Sequence, residues 1–525
     1  MDDKIIVTNG AALKEKYGSG GEGEIKKAVN ALIAADAKRG VKSRLVYLDS
    51  AAMMKAFKGK AVTLATDPRQ NKEAIDAIFK SADPEYLMIL GAPDVVPHQD
   101  LKNSAFKPGG DEDENAFGDL PYACDAPYSR DIAAFKGPTR VVGRLPDLTG
   151  ATEPSHLINL LAIAAKYKSG SAAEYAAYFG LSADAWRNST EHSLFDIFGN
   201  STALTLSPPS KHNLPPNRLA PKAHFINCHG GHVDPKFYGQ KGNSYPLSLT
   251  SDAIKGKISP GTVAAVECCF GAELYDSVTL ELPLPISQHY LLQGAYGYFG
   301  STTIAYGPPT GNGVADIIAK EFLLAILDGA SLGRAALIAR QKYIAQAGEL
   351  DPIDLKTIGQ FNLLGDPSIH PVKSTSATNV PKGIAAVEAV RIERQGRRAK
   401  LRAQGEMLRE TKPTASQELK QFKKTPTVRK ALANIAKEAG MTAADFTAFK
   451  VNVPKSQFAK GSKSAPVASR YYVAVYQQTP KAAGSGPPVN MAAVAKEVDG
   501  RIVGYRIYEG KGWAALTTDR RGSRT

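Results

Sequence analysis

Two stretches decide the fold: Ala223-His224-Phe225-Ile226-Asn227-Cys228-His229-Gly230-Gly231-His232 and Thr262-Val263-Ala264-Ala265-Val266-Glu267-Cys268-Cys269-Phe270-Gly271-Ala272. Each is a short apolar run of β-forming residues that ends in reactive side chains, as expected of strands buried in a parallel sheet. Working outward, Ile5-Ile6-Val7, Leu45-Val46-Tyr47-Leu48 and Tyr86-Leu87-Met88-Ile89-Leu90 read as earlier strands. Residues 139–143, about 176–181 and 294–300 complete the set, and helix-length segments near 23–35 and 71–81 fall between them. The alternation predicts an α/β fold, a doubly wound and mostly parallel sheet with helices on both faces. In such a sheet ligands gather at the carboxyl ends of the strands, where both reactive stretches terminate.

The chain has 525 residues, enough for several domains. The α/β core is expected over residues 1–375, with 1–80 as its N-terminal part. A stretch rich in Ser, Thr and Lys after His370 reads as a linker. Residues 376–525 change character and predict a basic α+β domain, with a long basic segment over 384–430, a helix over 428–439 and strands at 471–476 and 501–508. Of the chain's net charge of +14, this part holds 28 Lys and Arg against 11 Asp and Glu, so the core is close to neutral. Concentrated positive charge could attract nucleic acid, an acidic protein or an anionic surface. No apolar run has the length of a transmembrane helix. The opening Met1-Asp2-Asp3-Lys4 lacks the pattern of a secretory signal, which predicts a cytoplasmic protein. Four cysteines, Cys124, Cys228, Cys268 and Cys269, are too few for a disulfide scaffold.

A thiol is mostly un-ionised at neutral pH, so a nucleophilic cysteine needs an imidazole or a helix N-terminus beside it. Cys269 is expected to have both, with His229 as general base and a helix starting near Glu273-Leu274-Tyr275. The amides of Gly230 and Cys269 would form an oxyanion hole, glycine permitting the close approach. Adjacent side chains on a strand point to opposite faces, so only one of Cys268 and Cys269 can face His229. Cys124 and Cys228 read as small buried hydrophobes.

A hydrophobic block ending in His229-Gly230, then a second ending in Glu267-Cys268-Cys269, resembles the active-site pattern of caspases, metacaspases, legumain, clostripain and gingipains. Phe361-Asn362-Leu363-Leu364-Gly365-Asp366-Pro367-Ser368 resembles the closing motif of the gingipain branch, as do Val142-Gly143-Arg144-Leu145-Pro146, Leu90-Gly91-Ala92-Pro93-Asp94 and Gly300-Ser301-Thr302-Thr303. The likeness covers roughly residues 80–375. It implies a cysteine endopeptidase acting through a Cys–His dyad on a protein or peptide, after Arg or Lys, in regulated limited proteolysis. By spacing, metacaspases with paired cysteines point to Cys269 as nucleophile, whereas counting back from Gly271 as in gingipains points to Cys268. The same likeness implies Asp184 as the acid that orients the imidazole. It implies Glu191, Ser301, Thr302 and Tyr306 as the pocket for the residue before the scissile bond. No cofactor is required, although the acidic run Asp111-Glu112-Asp113-Glu114, read as a solvated loop, could take Ca2+ as some gingipain-like enzymes do. Self-processing is a family habit, and the basic stretch 394–402 is its candidate site. Two other readings compete: a zinc site from Cys228, His229, His232, Cys268 and Cys269, and an inactive scaffold acting through its basic domain.

Overall fold

The computed structural model describes residues 2–308, 310–373, 384–420, 422–441, 446–454, 469–478 and 488–513. The large sheet has ten strands: β1 Lys4–Thr8, β2 Ser43–Tyr47, β3 Tyr86–Leu90, β4 Val141–Leu145, β5 Tyr178–Ala183, β6 Leu204–Ser207, β7 Ala223–Asn227, β8 Val263–Val266, β9 Gly297–Ser301 and β10 Phe361–Gly365. Their order across the sheet is β2-β1-β3-β4-β10-β9-β8-β7-β5-β6. Every residue of β1, β3, β4 and β7 to β10 is buried, which requires cover on both faces. This is the α/β architecture expected, with one antiparallel seam: β9 and β10 run in opposite directions, Gly297 opposite Gly365 and Ser301 opposite Phe361.

Helix ends follow local chemistry. Asn9 caps helix Gly10–Lys38, which bends at Gly18, where φ is 67°. Asp67 caps Pro68–Ala82 through the amides of Arg69 and Gln70, with Pro68 in the first turn, where its missing N–H costs nothing. The seam explains the closing motif. Asp366, just past β10, lies at the sheet edge opposite to the end of β9, and its carboxylate takes the ammonium of buried Lys4. Arg144 of β4, likewise fully buried, pairs with Asp119 and donates to the carbonyls of Gly91 and Val96. These motif residues hold the scaffold.

Past the core come helix Ile384–Thr411 and strands β11 Thr414–Glu418, β12 Thr447–Asn452, β13 Ser469–Gln478, β14 Val489–Val498 and β15 Arg501–Gly510, with helix Pro426–Glu438 between β11 and β12. The region expected as a linker falls on 374–383, outside the described residues. The strands form an antiparallel sheet whose alternation sorts its two faces. Tyr471, Val473 and Val475 join the core cluster of the large domain, while Tyr472 and Ala474 face Val428, Leu432 and Ile435 of the helix. At roughly 1.5–3 kcal/mol for each large apolar side chain withdrawn from water, that inner face binds the domain firmly to the core.

A few of the basic residues serve the same docking. Arg394 pairs with Glu85, Arg402 with Asp83 and Arg409 with Asp125. Residues 394–402, the expected self-processing stretch, therefore lie in a docked helix, whose backbone is not extended as a peptidase substrate must be.

The acidic run is only in part the solvated loop expected: Glu112 and Glu114 are exposed, but the two aspartates turn inward. Asp111 is fully buried, accepts from the Tyr306 hydroxyl at 3.0 Å and ion-pairs with buried Lys356. Asp113 also pairs with Lys356 and accepts from the Ile304 amide at 2.8 Å. An ammonium already stands where Ca2+ would sit, so the run does not fit the ion.

Burial holds the rings of His224, His229 and His370 neutral, each pKa pushed down from 6.5 to about 4. The unfolded chain takes up these protons near pH 6.5 and the folded chain only near 4. Their contribution is therefore complete above 6.5 and is lost as pH falls towards 4. Between pH 7 and 4.5 each ring is expected to cost about 2–3 kcal/mol. Urea unfolding at the two pH values should show His224→Gln losing less stability than wild type by that amount; equal losses would contradict it.

Candidate active site

The carboxyl ends of β5, β7 and β8 and the segment after β9 meet on one edge of the sheet. In register, Ser182 lies opposite Asn227, Ile226 opposite Val266, and Val266 opposite Gly300. Cys228-His229 and Glu267-Cys268-Cys269 therefore emerge side by side. Gly230 is pressed so closely on the second of these that a Cβ there would lie 2.1 Å from the Cys269 carbonyl oxygen.

The two cysteines face different surroundings. Cys268 lies on the core side, where Cys228, Tyr290 and Tyr298 contribute to its environment and burial pushes its thiol well above the usual range. Cys269 Sγ lies between the amide of Ala305 (3.1 Å) and its carbonyl (3.4 Å), at the groove. Burial raises this thiol as well, so it is un-ionised in the closed site. The helix expected after Cys269 is absent. Phe270 takes a φ of 53°, and the amides of Phe270 and Ala272 pair with the carbonyls of Thr303 and Ser301. These bonds bind the turn to the end of β9 and leave no helix to start there.

His229 Nε2 meets Gln240 Oε1 at 2.8 Å. The amide nitrogen of Gln240 reaches the Tyr245 hydroxyl (3.2 Å) and the Gly242 carbonyl (3.5 Å), which leaves its oxygen to accept from the ring. The neutral imidazole then carries its proton on Nε2, and Nδ1 is its basic nitrogen. Trp186 packs on the ring at 4.4 Å between centroids. Asp184, expected to orient the imidazole, instead gives its carboxylate to Arg187 and Lys241 at the surface. The orienting contact is Gln240.

The groove is occupied by the segment at the end of β15. Past β15, Lys511 donates its amide to the Ala305 carbonyl (2.8 Å), while its own carbonyl accepts from the amides of Gly230 (3.0 Å) and Cys269 (2.9 Å). Gly510 pairs antiparallel with Tyr306 on one side, and Gly512 pairs parallel with Gly230 on the other. The Lys511 side chain enters a closed pocket. Its ammonium bonds Asp316 Oδ1 (2.7 Å), Asn227 Oδ1 (2.9 Å) and the Glu267 carboxylate, and lies 5.4 Å from the centre of the Trp186 ring. Gly307 forms one wall, where a Cβ would meet Lys511 Cε at 2.3 Å.

Helix Arg187–Phe198 supports the pocket through Ser189 and Thr190. Ser189 Oγ donates to Asp316 at 2.7 Å, and Thr190 Oγ1 accepts from Asn227 at 3.0 Å. Glu191, one residue on and partly exposed, is not the pocket's acid; Glu267 and Asp316 are. Burial and the neighbouring Asp316 push Glu267 well up. Burial would also raise Asp316, but Lys511 together with hydrogen bonds from Glu267 and Ser189 outweighs it and brings its carboxyl below the ordinary range. These opposite shifts favour a neutral set of one ammonium, one carboxylate and one carboxylic acid. Of the expected wall, Ser301 donates to the Thr303 carbonyl and Thr302 to carbonyls at Phe117 and Gln360. Their hydroxyls brace the segment whose backbone, at Ala305 and Tyr306, pairs with the bound strand.

Comparisons with known proteins add distant likenesses. No family model and no curated protein matches the chain. One solved structure, described as "Structure of Protease", has a TM-score of 0.47 and 14% identity and covers 96% of this chain and 97% of its own. A Saccharomyces cerevisiae separase–securin complex has a TM-score of 0.29 and 15% identity, covering 44% of this chain and 14% of the other.

The five residues weighed as a zinc set do not converge. His232, half exposed, pairs with Glu273 at 3.2 Å, and Cys268 and Cys269 point to different sides. Among the described residues no group of three or more His, Cys, Asp or Glu could hold a metal ion, and no helix is long and apolar enough to cross a membrane.

Proposed function

We propose that the chain is a cysteine endopeptidase that cleaves after Lys or Arg, with Cys269 as nucleophile and His229 as general base. The observation that carries this is the seating of Lys511. A peptide carbonyl lies within hydrogen-bond reach of two backbone amides beside a cysteine, while the side chain of the same residue is neutralised by a carboxylate in a closed pocket. The two amides at 2.9 and 3.0 Å from that carbonyl support the reading of an oxyanion hole.

In this reading His229 Nδ1 takes the thiol proton and Cys269 Sγ attacks the carbonyl carbon. The amides of Gly230 and Cys269 stabilise the oxyanion, and the imidazolium returns the proton to the leaving amine. Water then hydrolyses the thioester. Gln240 keeps the imidazole in the tautomer this needs. Cys268 is the less favoured nucleophile because it faces the core.

The test is a set of fluorogenic peptides differing only in the residue before the scissile bond, given to the Lys511→Ala chain, whose pocket is vacated. Lys and Arg peptides are expected to be cut about 10²-fold or more faster than Leu or Gln peptides. Hydrolysis indifferent to that residue would refute the basic specificity, and no hydrolysis of any peptide would refute the peptidase.

A further inference from the structure

We propose that Lys511–Gly512 is the enzyme's own first substrate, and that the C-terminal domain keeps the site latent by holding this bond in it until it is cut. The inference rests on the peptidase reading above and deepens it by naming an occupant and a consequence.

Four independent features make the segment a bound substrate rather than a chance contact. It enters as an added strand, bonded to Ala305 and paired with Tyr306 before the bond and with Gly230 after it. Backbone pairing of this kind is how extended peptides dock on exposed strands. Second, the Lys511 carbonyl occupies the two-amide hole. Third, the Lys511 side chain is 1% exposed and fills a pocket of matching charge. Fourth, the residue after it has to be glycine. Gly512 has a φ of 150°, and a Cβ there would lie 1.7 Å from the Gly230 carbonyl oxygen and 2.7 Å from Cys269 Cβ. A strand with any other residue at 512 could not lie this close to the nucleophile.

The domain behind the segment is built to keep it there. β15 pairs along its length with β14, and the sheet is bound to the core by its inner apolar face and by the arginines of helix Ile384–Thr411. Tethered beside its pocket, the segment competes with any free peptide at the high effective concentration of an intramolecular ligand. Sulfur attack on the Lys511 carbonyl carbon forms a thioester as the bond to the Gly512 nitrogen breaks, and that nitrogen takes the proton His229 had accepted from the thiol. Water then converts the thioester to the Lys511 carboxylate and regenerates the thiol. The products are a chain ending at Lys511 and a 14-residue peptide, Gly512 to Thr525. The cut removes the half of the segment that pairs with Gly230, after which Lys511 exchanges with incoming substrate.

Intact mass of the full chain gives the first readout. Wild type is expected to end at Lys511 after incubation, and Cys269→Ala to keep residues 512–525. A wild-type chain that keeps them, or a Cys269→Ala chain that loses them, overturns the self-cleavage. The second readout does not depend on turnover. In a His229→Ala background, alkylation of Cys269 by iodoacetamide, followed by peptide mapping, is expected to speed up about tenfold or more on Lys511→Ala or on Gly512→Val. Gly512→Val leaves the pocket's residues unaltered, so it guards against misfolding in the lysine variant. Unchanged alkylation in both variants overturns the latency. Faster alkylation with no hydrolysis of any peptide would instead leave the docking in place and sink the peptidase reading.

Discussion

Cys269→Ala is expected to reduce peptide hydrolysis by about 10⁴-fold or more, the scale on which loss of a nucleophile removes covalent catalysis. Cys268→Ala is expected to leave it within a few-fold. The two residues are neighbours in sequence and equally buried, so the contrast tests position alone. Cys269 shares the groove with the Lys511 carbonyl and the amide of Ala305, whereas Cys268 packs beside Cys228, whose own thiol burial pushes up to about 12. Truncating Cys268 removes one buried sulfur from an apolar setting and should cost about 1–2 kcal/mol of stability, read as a lower urea midpoint without loss of rate. The measurement is kcat/KM on a Lys peptide in the Lys511→Ala background, where the pocket is vacated. Loss in Cys268→Ala with retention in Cys269→Ala would reverse the assignment and require the strand end to turn over on opening.

The sheet and the strand ends that carry the site were legible because buried parallel strands announce themselves as short apolar runs. The places of His229, Gly230 and the Cys268–Cys269 pair follow from where those runs stop, whereas the choice between the two cysteines does not. What was not legible depends on partners far apart in sequence. Asp184 and Glu191 occupy plausible places along the chain, yet Asp184 turns to Arg187 and Lys241. On helix Arg187–Phe198 it is Ser189 and Thr190, not Glu191, that reach the pocket residues. Asp316 did leave a trace: it stands three residues after Gly313 at the start of helix Val314–Leu327, the place of a capping acid. Nothing local says that the same carboxylate also binds a cation. The acidic run 111–114 was misread for a similar reason, because the cation that draws Asp111 inward is Lys356, 245 residues away. Lys511 is the sharpest case. The basic character of the C-terminal part was read as charge that could attract an external partner; some of its arginines pair with the core and one lysine fills the pocket. The sequence cue was Gly510-Lys511-Gly512, a lysine between glycines at the end of a strand, whose meaning depends on what that strand lies against.

Charge in that pocket gives the second large effect, and it separates two acids that look equivalent. Asp316→Asn is expected to lower kcat/KM for Lys and Arg peptides by about 10²–10³-fold and to leave neutral peptides little changed. Glu267→Gln should cost less than about tenfold. The difference follows from which acid is ionised. At Asp316 burial is outweighed by the ammonium together with hydrogen bonds from Glu267 and Ser189, which bring it below its ordinary range, so the aspartate supplies the negative charge that an entering ammonium needs. Burial and that same aspartate push Glu267 up, which favours its neutral form, and an amide of the same shape retains an oxygen for the ammonium. An asparagine at 316 keeps an oxygen for Ser189 or for the Gly313 amide, not for both, and leaves the incoming cation buried without a counter-charge. Both variants belong in the Lys511→Ala background, since in the intact chain Asp316→Asn would loosen the tethered segment while it weakened substrate. If Glu267→Gln cost as much as Asp316→Asn, the pocket would hold two ionised carboxylates around one ammonium, and the neutral set inferred from their burial would be wrong.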